Sequence, residues 1–80
     1  MKNLIEQWIE KWFAQKSSEI KLDMNDNFFE KGAIDSFGIM ELIIELESQY
    51  EITFTQEEFQ DHRFSNIQGL SEIIHGKIGN

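Results

Sequence analysis

Ser36 follows Asp35 directly, at the point where a polar connection gives way to a strongly apolar helical pattern. A hydroxyl in that position has three chemistries open to it. It can cap the helix, as Asp35 can in its place. It can hold a phosphate, which the amide groups and positive dipole end of a helix start favour. It can act as a nucleophile if a base and an oxyanion hole stand beside it, and His62 or His75 would have to be the base. Nothing in the sequence supports an oxyanion hole, and 80 residues leave little room for a pocket, so a serine hydrolase is set aside and no residue is assigned as catalytic.

Asp23-Met24-Asn25-Asp26-Asn27 opens like a calcium-binding loop. Phe28 then stands where such a loop needs Gly, and Ile34 where it needs the bidentate Glu. No metal ligand is assigned; weak divalent binding to the acidic surface would mainly reduce self-repulsion. The chain has no Cys, which excludes disulfides, thiolate metal sites and a cysteine nucleophile.

The elements that position Ser36 follow from apolar spacing. Leu4, Ile5, Trp8, Ile9, Trp12 and Phe13 recur at helical intervals, and Asn3 with Glu6 has the spacing of a capping box, which predicts a helix over residues 3–15. A polar connection runs from Lys16 to Asp35 and holds Ile20, Leu22, Phe28 and Phe29. Its length requires that it be tied down, and the Phe pair is expected to plug into the core on a short turn that Gly32 ends. A helix follows over residues 36–50. Thr55 with Glu58 opens a short helix over 56–60, and Ser65 with Gln68 opens a last one over 66–77 that carries Ile67, Leu70, Ile73, Ile74 and Ile78. The expected architecture is all-α: a small four-helix bundle, three longer helices and one short, forming one domain over residues 1–80.

The helix that begins at Ser36 differs from the others in two ways. With roughly 100° per residue, Ile39, Leu42, Ile43, Leu46 and Tyr50 share one arc, the expected core face. Phe37, Met40 and Ile44 fall in a second arc, bordered by Glu47 on one side and by Glu41, then Glu45, on the other. Either the helix is packed on both sides, or the second arc is an exposed apolar patch rimmed by carboxylates, as a protein-docking face would be. The second difference is the cap. Three residues after Asp35 stands Gly38, and three after Ser36 stands Ile39, so no side chain reaches back to close a box.

Charge and composition limit the partners. The formal net charge is -8, from 15 Asp and Glu against 7 Lys and Arg. Such a surface repels nucleic acid and anionic lipid and suits a basic protein surface. Hydrophobic residues make up 40% of the chain and include seven Phe, which argues for a folded core over disorder. Glu6 and Glu10 interrupt the apolar residues of the first helix, so residues 1–13 form neither a signal peptide nor a membrane span. The expected location is the cytoplasm.

The run Gly32-Ala33-Ile34-Asp35-Ser36-Phe37-Gly38-Ile39-Met40-Glu41-Leu42 resembles the attachment motif of acyl carrier proteins: Asp-Ser, a bulky apolar residue next, and Leu six residues after the Ser. Asn27-Phe28-Phe29-Glu30 upstream resembles the segment that precedes the Gly. Leu46-Glu47, with Tyr50 and Ile52, resembles the helix end. The likeness extends over roughly residues 4–75. It implies a 4′-phosphopantetheine arm held covalently on Ser36, with Asp35 assisting the modifying enzyme or orienting the linkage. It also implies a recognition helix in which Phe37, Met40, Glu41, Ile44 and Glu47 face partners, and the helix wheel adds Glu45 to the acidic rim expected to steer them. Those partners would be a phosphopantetheinyl transferase and acyl- or aminoacyl-loading and transferring enzymes with basic docking surfaces, serving a monomeric carrier. Phe37-Gly38 after the Ser, and Ala33-Ile34 before Asp35, resemble D-alanyl carriers and related stand-alone carriers. The alternative is a small acidic interaction module with no prosthetic group, which would use the same helix face and would not need Ser36.

Overall fold

The computed structural model describes residues 3–16 and 22–78. Four α-helices are present among them: α1 (Leu4–Lys16), α2 (Ser36–Tyr50), α3 (Gln56–Phe59) and α4 (Ile67–Ile78), with a 3-10 turn at His62–Ser65 between the last two. The described residues contain no strand, in agreement with the all-α four-helix reading. Ile20, expected in the connection, lies outside the described residues.

The helix starts follow the capping rules, with one shift. Asn3 Oδ1 accepts from Glu6 N–H at 2.7 Å while Glu6 Oε1 accepts from Asn3 N–H at 3.0 Å, a complete capping box on α1. Thr55 and Glu58 form the same reciprocal pair on α3. For α4 the expected cap, Ser65, gives way to its neighbour. The 3-10 turn consumes Ser65, whose hydroxyl donates to His62 O at 2.6 Å, and Asn66 Oδ1 accepts from Gly69 N–H at 2.6 Å instead.

The core is formed by Ile5, Ile9, Trp12 and Phe13 of α1, Leu42 and Leu46 of α2, and Ile67, Leu70, Ile73 and Ile74 of α4, with Phe28, Phe54 and Phe64 entering from the connections. The two helix-end residues of the expected stripes, Leu4 and Ile78, are instead 80% and 48% exposed, because each lies at the outer end of its helix.

The connection before α2 is tied down as its length demands. Phe28 is fully buried, stacks on Phe13 with ring centroids 5.0 Å apart, and donates its N–H to Ser65 O at 2.9 Å. Gln68 N–H donates to Met24 O at 2.9 Å, a second backbone tie to the start of α4. Only one of the two Phe plugs the core. Phe29 is 42% exposed, because adjacent residues on a helical turn point in different directions. Gly32 ends the turn at φ 73°, with Gly32 N–H on Phe29 O and Ala33 N–H on Phe28 O. Those two bonds are the Schellman arrangement, which needs a left-handed residue at this point and so favours Gly.

Two features of the fold yield measurable expectations. A Cβ on Gly69 would lie 2.3 Å from Arg63 O and 2.6 Å from Arg63 Cα, so the 3-10 turn and α4 can approach only with Gly there. Gly69→Ala is expected to destabilise the fold by about 1–3 kcal/mol, as overpacking does. Gly76→Ala, which meets open space in a helix, should stabilise it by up to about 1 kcal/mol. Urea unfolding midpoints of the two variants should move in opposite directions.

Glu58 gives the second expectation. Burial raises its pKa, but the hydrogen bonds from Thr55 and the Lys77 ammonium, 2.9 Å away, outweigh that and hold the carboxyl below its usual range. A lowered folded-state pKa stabilises the protein above the ordinary Glu range, and the stabilisation disappears as pH falls through the folded value. Unfolding scans between neutral and acid pH should show Glu58→Gln with a shallower acid decline than the parent chain.

Candidate functional site

The stretch from Gly32 to Glu47 places every candidate residue on or just before α2. Phe28 and the turn that Gly32 closes anchor the segment that leads to Asp35. Asp35 is extended (φ -113°, ψ -176°), and its Oδ1 accepts from Gly38 N–H at 2.7 Å while its carbonyl accepts from Ile39 N–H at 2.9 Å. Asp35 is therefore the N-cap, and with Gly at the third position the box stays open on its other side. Gly38 also permits a close approach: a Cβ there would meet Ile34 Cγ1 at 3.0 Å.

Ser36 is the first residue of α2 and is exposed. Among the described residues Ser36 Oγ has no hydrogen-bond partner, whereas Ser65 Oγ donates to His62 and Ser71 Oγ to Asn3. The site thus presents a free hydroxyl at the positive end of a 15-residue helix, where the backbone dipole favours a phosphodiester. Ser36 is open to solvent, and the helix start suits a phosphate-linked group.

The two faces of α2 separate as its periodicity predicts. Leu42 and Leu46 are fully buried, with Ile39, Ile43 and Tyr50 half-buried around them. Phe37, Met40 and Ile44 are 73%, 62% and 62% exposed, one turn after another along the opposite side. The second arc is therefore surface rather than a second packing face.

The three rim carboxylates each do something the sequence does not announce. Glu41 pairs with Lys16 Nζ at 3.1 Å. Glu45 accepts from the Trp12 indole N–H at 2.7 Å. Glu47 accepts from Phe54 N–H at 3.0 Å, while its carbonyl receives Ile52 N–H at 3.2 Å, so it clamps the chain as it leaves α2. That exit is tight enough to put Glu51 at φ 53°, in the left-handed region. Glu45 and Glu47 accept from neutral donors, whereas Glu41 is paired with the cationic Lys16. Sequence spacing gave no sign of the Trp12 and Lys16 contacts, because both partners sit on α1 more than twenty residues away. His62, imagined as a base, is exposed and lies beside Asp61, 3.6 Å away, in the 3-10 turn.

The fold and this helix start define a phosphopantetheine-bearing carrier, and comparison with known proteins agrees. The family model described as the phosphopantetheine attachment site matches residues 6–74. The chain belongs to that family: it is a carrier that presents an acyl or aminoacyl group, as a thioester on 4′-phosphopantetheine, to partner enzymes. Among curated proteins it is 39% identical over 71 residues to the D-alanyl carrier protein of Streptococcus suis, covering 84% of this chain and 86% of that one. It is 35% identical over 69 residues to the D-alanyl carrier protein of Streptococcus mutans, covering 81% and 84%. No solved structure matches the chain. Carriers of this family meet a phosphopantetheinyl transferase and the enzymes that load and unload them. No helix among the described residues is long and apolar enough to cross a membrane.

The exposure of the Phe37, Met40 and Ile44 stripe makes a clean test possible. Met40→Glu is expected to leave the circular dichroism spectrum and urea midpoint unchanged. It should weaken binding to a phosphopantetheinyl transferase about tenfold or more, the scale on which loss of one apolar anchor at an interface is felt.

Proposed function

We propose that Ser36 is the attachment residue and that the cargo is D-alanine. The observation that supports the first part is the free, exposed hydroxyl at the half-capped start of α2. In the modification, Ser36 Oγ forms a bond to the phosphorus of coenzyme A next to pantetheine, the pyrophosphate bond breaks, and adenosine bisphosphate leaves. Once attached, the group supplies a thiol that holds the cargo as a thioester.

This chain's residues do the rest. The α2 amide groups and dipole receive the phosphodiester charge. Asp35 holds the helix start rigid through Gly38, which keeps the hydroxyl in one place for the transferase. Phe37, Met40 and Ile44 dock partner enzymes, and Glu45 and Glu47, with Glu41 partly offset, attract basic surfaces and speed encounter. The chain performs no catalysis of its own. Residues 1–80 act as one carrier domain, monomeric and cytoplasmic, where coenzyme A and activated amino acids are at hand.

The D-alanine cargo rests on the similarity to D-alanyl carrier proteins and on the Ala33-Ile34 and Ser36-Phe37-Gly38 runs. The experiment is intact mass measurement in two stages. Incubation with coenzyme A and a broad-specificity transferase should add one phosphopantetheine group to the parent chain and nothing to Ser36→Ala. The modified protein, incubated with ATP and a D-alanine-activating ligase, should then gain one alanyl residue with D-alanine in preference to L-alanine. Failure of the first stage overturns the Ser36 reading. Success there, followed by charging with a fatty acyl group and not D-alanine, overturns the cargo.

A further inference from the structure

Among the described residues, α2 lines at least two clefts. One lies between the end of α1 and the start of α2, with a volume of about 460 Å³, and its lining includes Asp35 and Phe37, the residues on either side of Ser36. The other lies between α2 and the 3-10 turn, at about 240 Å³, among Phe29, Ile39, Ile43, Phe59 and Phe64.

Charge and reach distinguish them. The first cleft has an apolar wall, Trp12 with Ile34, and a cation at its edge, Lys16. Ile34 can lie along α2 there because Gly38 has no side chain to push it away. Lys16 Nζ sits 5.4 Å from the centre of the Trp12 ring and 3.1 Å from Glu41. An ammonium group has three N–H donors, and among the described residues Glu41 takes one. Of the carboxylates of this cleft, Glu41 is paired with Lys16 and Asp35 is turned to the neutral Gly38 N–H. The second cleft has no cation in its lining, and its one carboxylate, Asp61, is already held by the Arg63 guanidinium outside it.

We propose that the cleft between α1 and α2 receives the half of the phosphopantetheine arm nearest Ser36, with Lys16 facing the phosphodiester and the Trp12–Ile34 wall covering the dimethyl carbon beside it. The chemistry on the two sides matches: an anion followed by a compact apolar group, against a cation followed by an aromatic and aliphatic wall. Seating that half would leave only the outer half of the arm free to move, and would hold it on the side of α2 that faces α1. The proposal rests on attachment at Ser36.

Two-dimensional amide NMR spectra of isotope-labelled protein, before and after modification, test it, with intact mass confirming conversion. The expected result is a shift of the Trp12 indole N–H and of the Lys16, Ala33 and Ile34 amides, together with nuclear Overhauser contacts between the arm's methyl groups and the Trp12 ring. Lys16→Gln, an exposed substitution, should modify to the same extent and reduce the Trp12 shift at least twofold. Shifts confined to residues 35–38, with no methyl-to-indole contact, would mean a solvated arm and overturn the proposal. Shifts at Ile43, Phe59 and Phe64 would overturn it in favour of the other cleft. An unchanged mass would instead remove the Ser36 reading on which the proposal stands.

Discussion

The burial of Phe28 is the constraint on which the rest of this structure depends. A connection of this length in so small a domain costs backbone entropy at every ordered residue. One fully buried ring, worth about 1.5–3 kcal/mol in transfer terms, and two backbone hydrogen bonds, one to the end of the 3-10 turn and one to the start of α4, tie it to the bundle. The turn that follows ends at Gly32, and from there only Ala33 and Ile34 separate the anchor from Asp35. The position of Ser36 is thus fixed through a short, tethered lead. Its helix supplies the electrostatics, and the Phe28 plug supplies the placement.

The surface of α2 is the face proposed to meet partner enzymes. Its buried edge spends two leucines on the core, and the remaining apolar residues stand in solvent. An 80-residue bundle has little apolar surface to leave outside, so three large exposed side chains in a row on one helix carry functional weight. The acidic residues beside them serve both the fold and the surface. Glu47 clamps the helix exit and Glu45 holds the Trp12 indole, each through a neutral donor.

Positive charges are few in this chain, and the structure places two of them as struts. Lys16 joins the end of α1 to α2 through Glu41 and covers Trp12; Lys77 joins α4 to α3 through Glu58 and covers Phe54. Each lies between elements that carry excess carboxylate, where it reduces repulsion as well as forming a pair.

The sequence by itself determined the helices, their caps at Asn3 and Thr55, the core edge of α2, the attachment motif and the second apolar arc. All of these depend on residues within a turn or two of one another, where 3.6-residue periodicity and capping geometry act. It did not determine which of Phe28 and Phe29 would plug the core, nor that Asn66 would replace Ser65 as a cap, because a neighbouring turn decides each. Whether the second arc of α2 was packed or exposed could be settled only by where α1 and α4 came to lie. The same holds for the ties of Glu45 to Trp12, Glu41 to Lys16 and Glu58 to Lys77. Those pairs join distant stretches of chain, and their partners are chosen by helix packing, which local spacing does not encode.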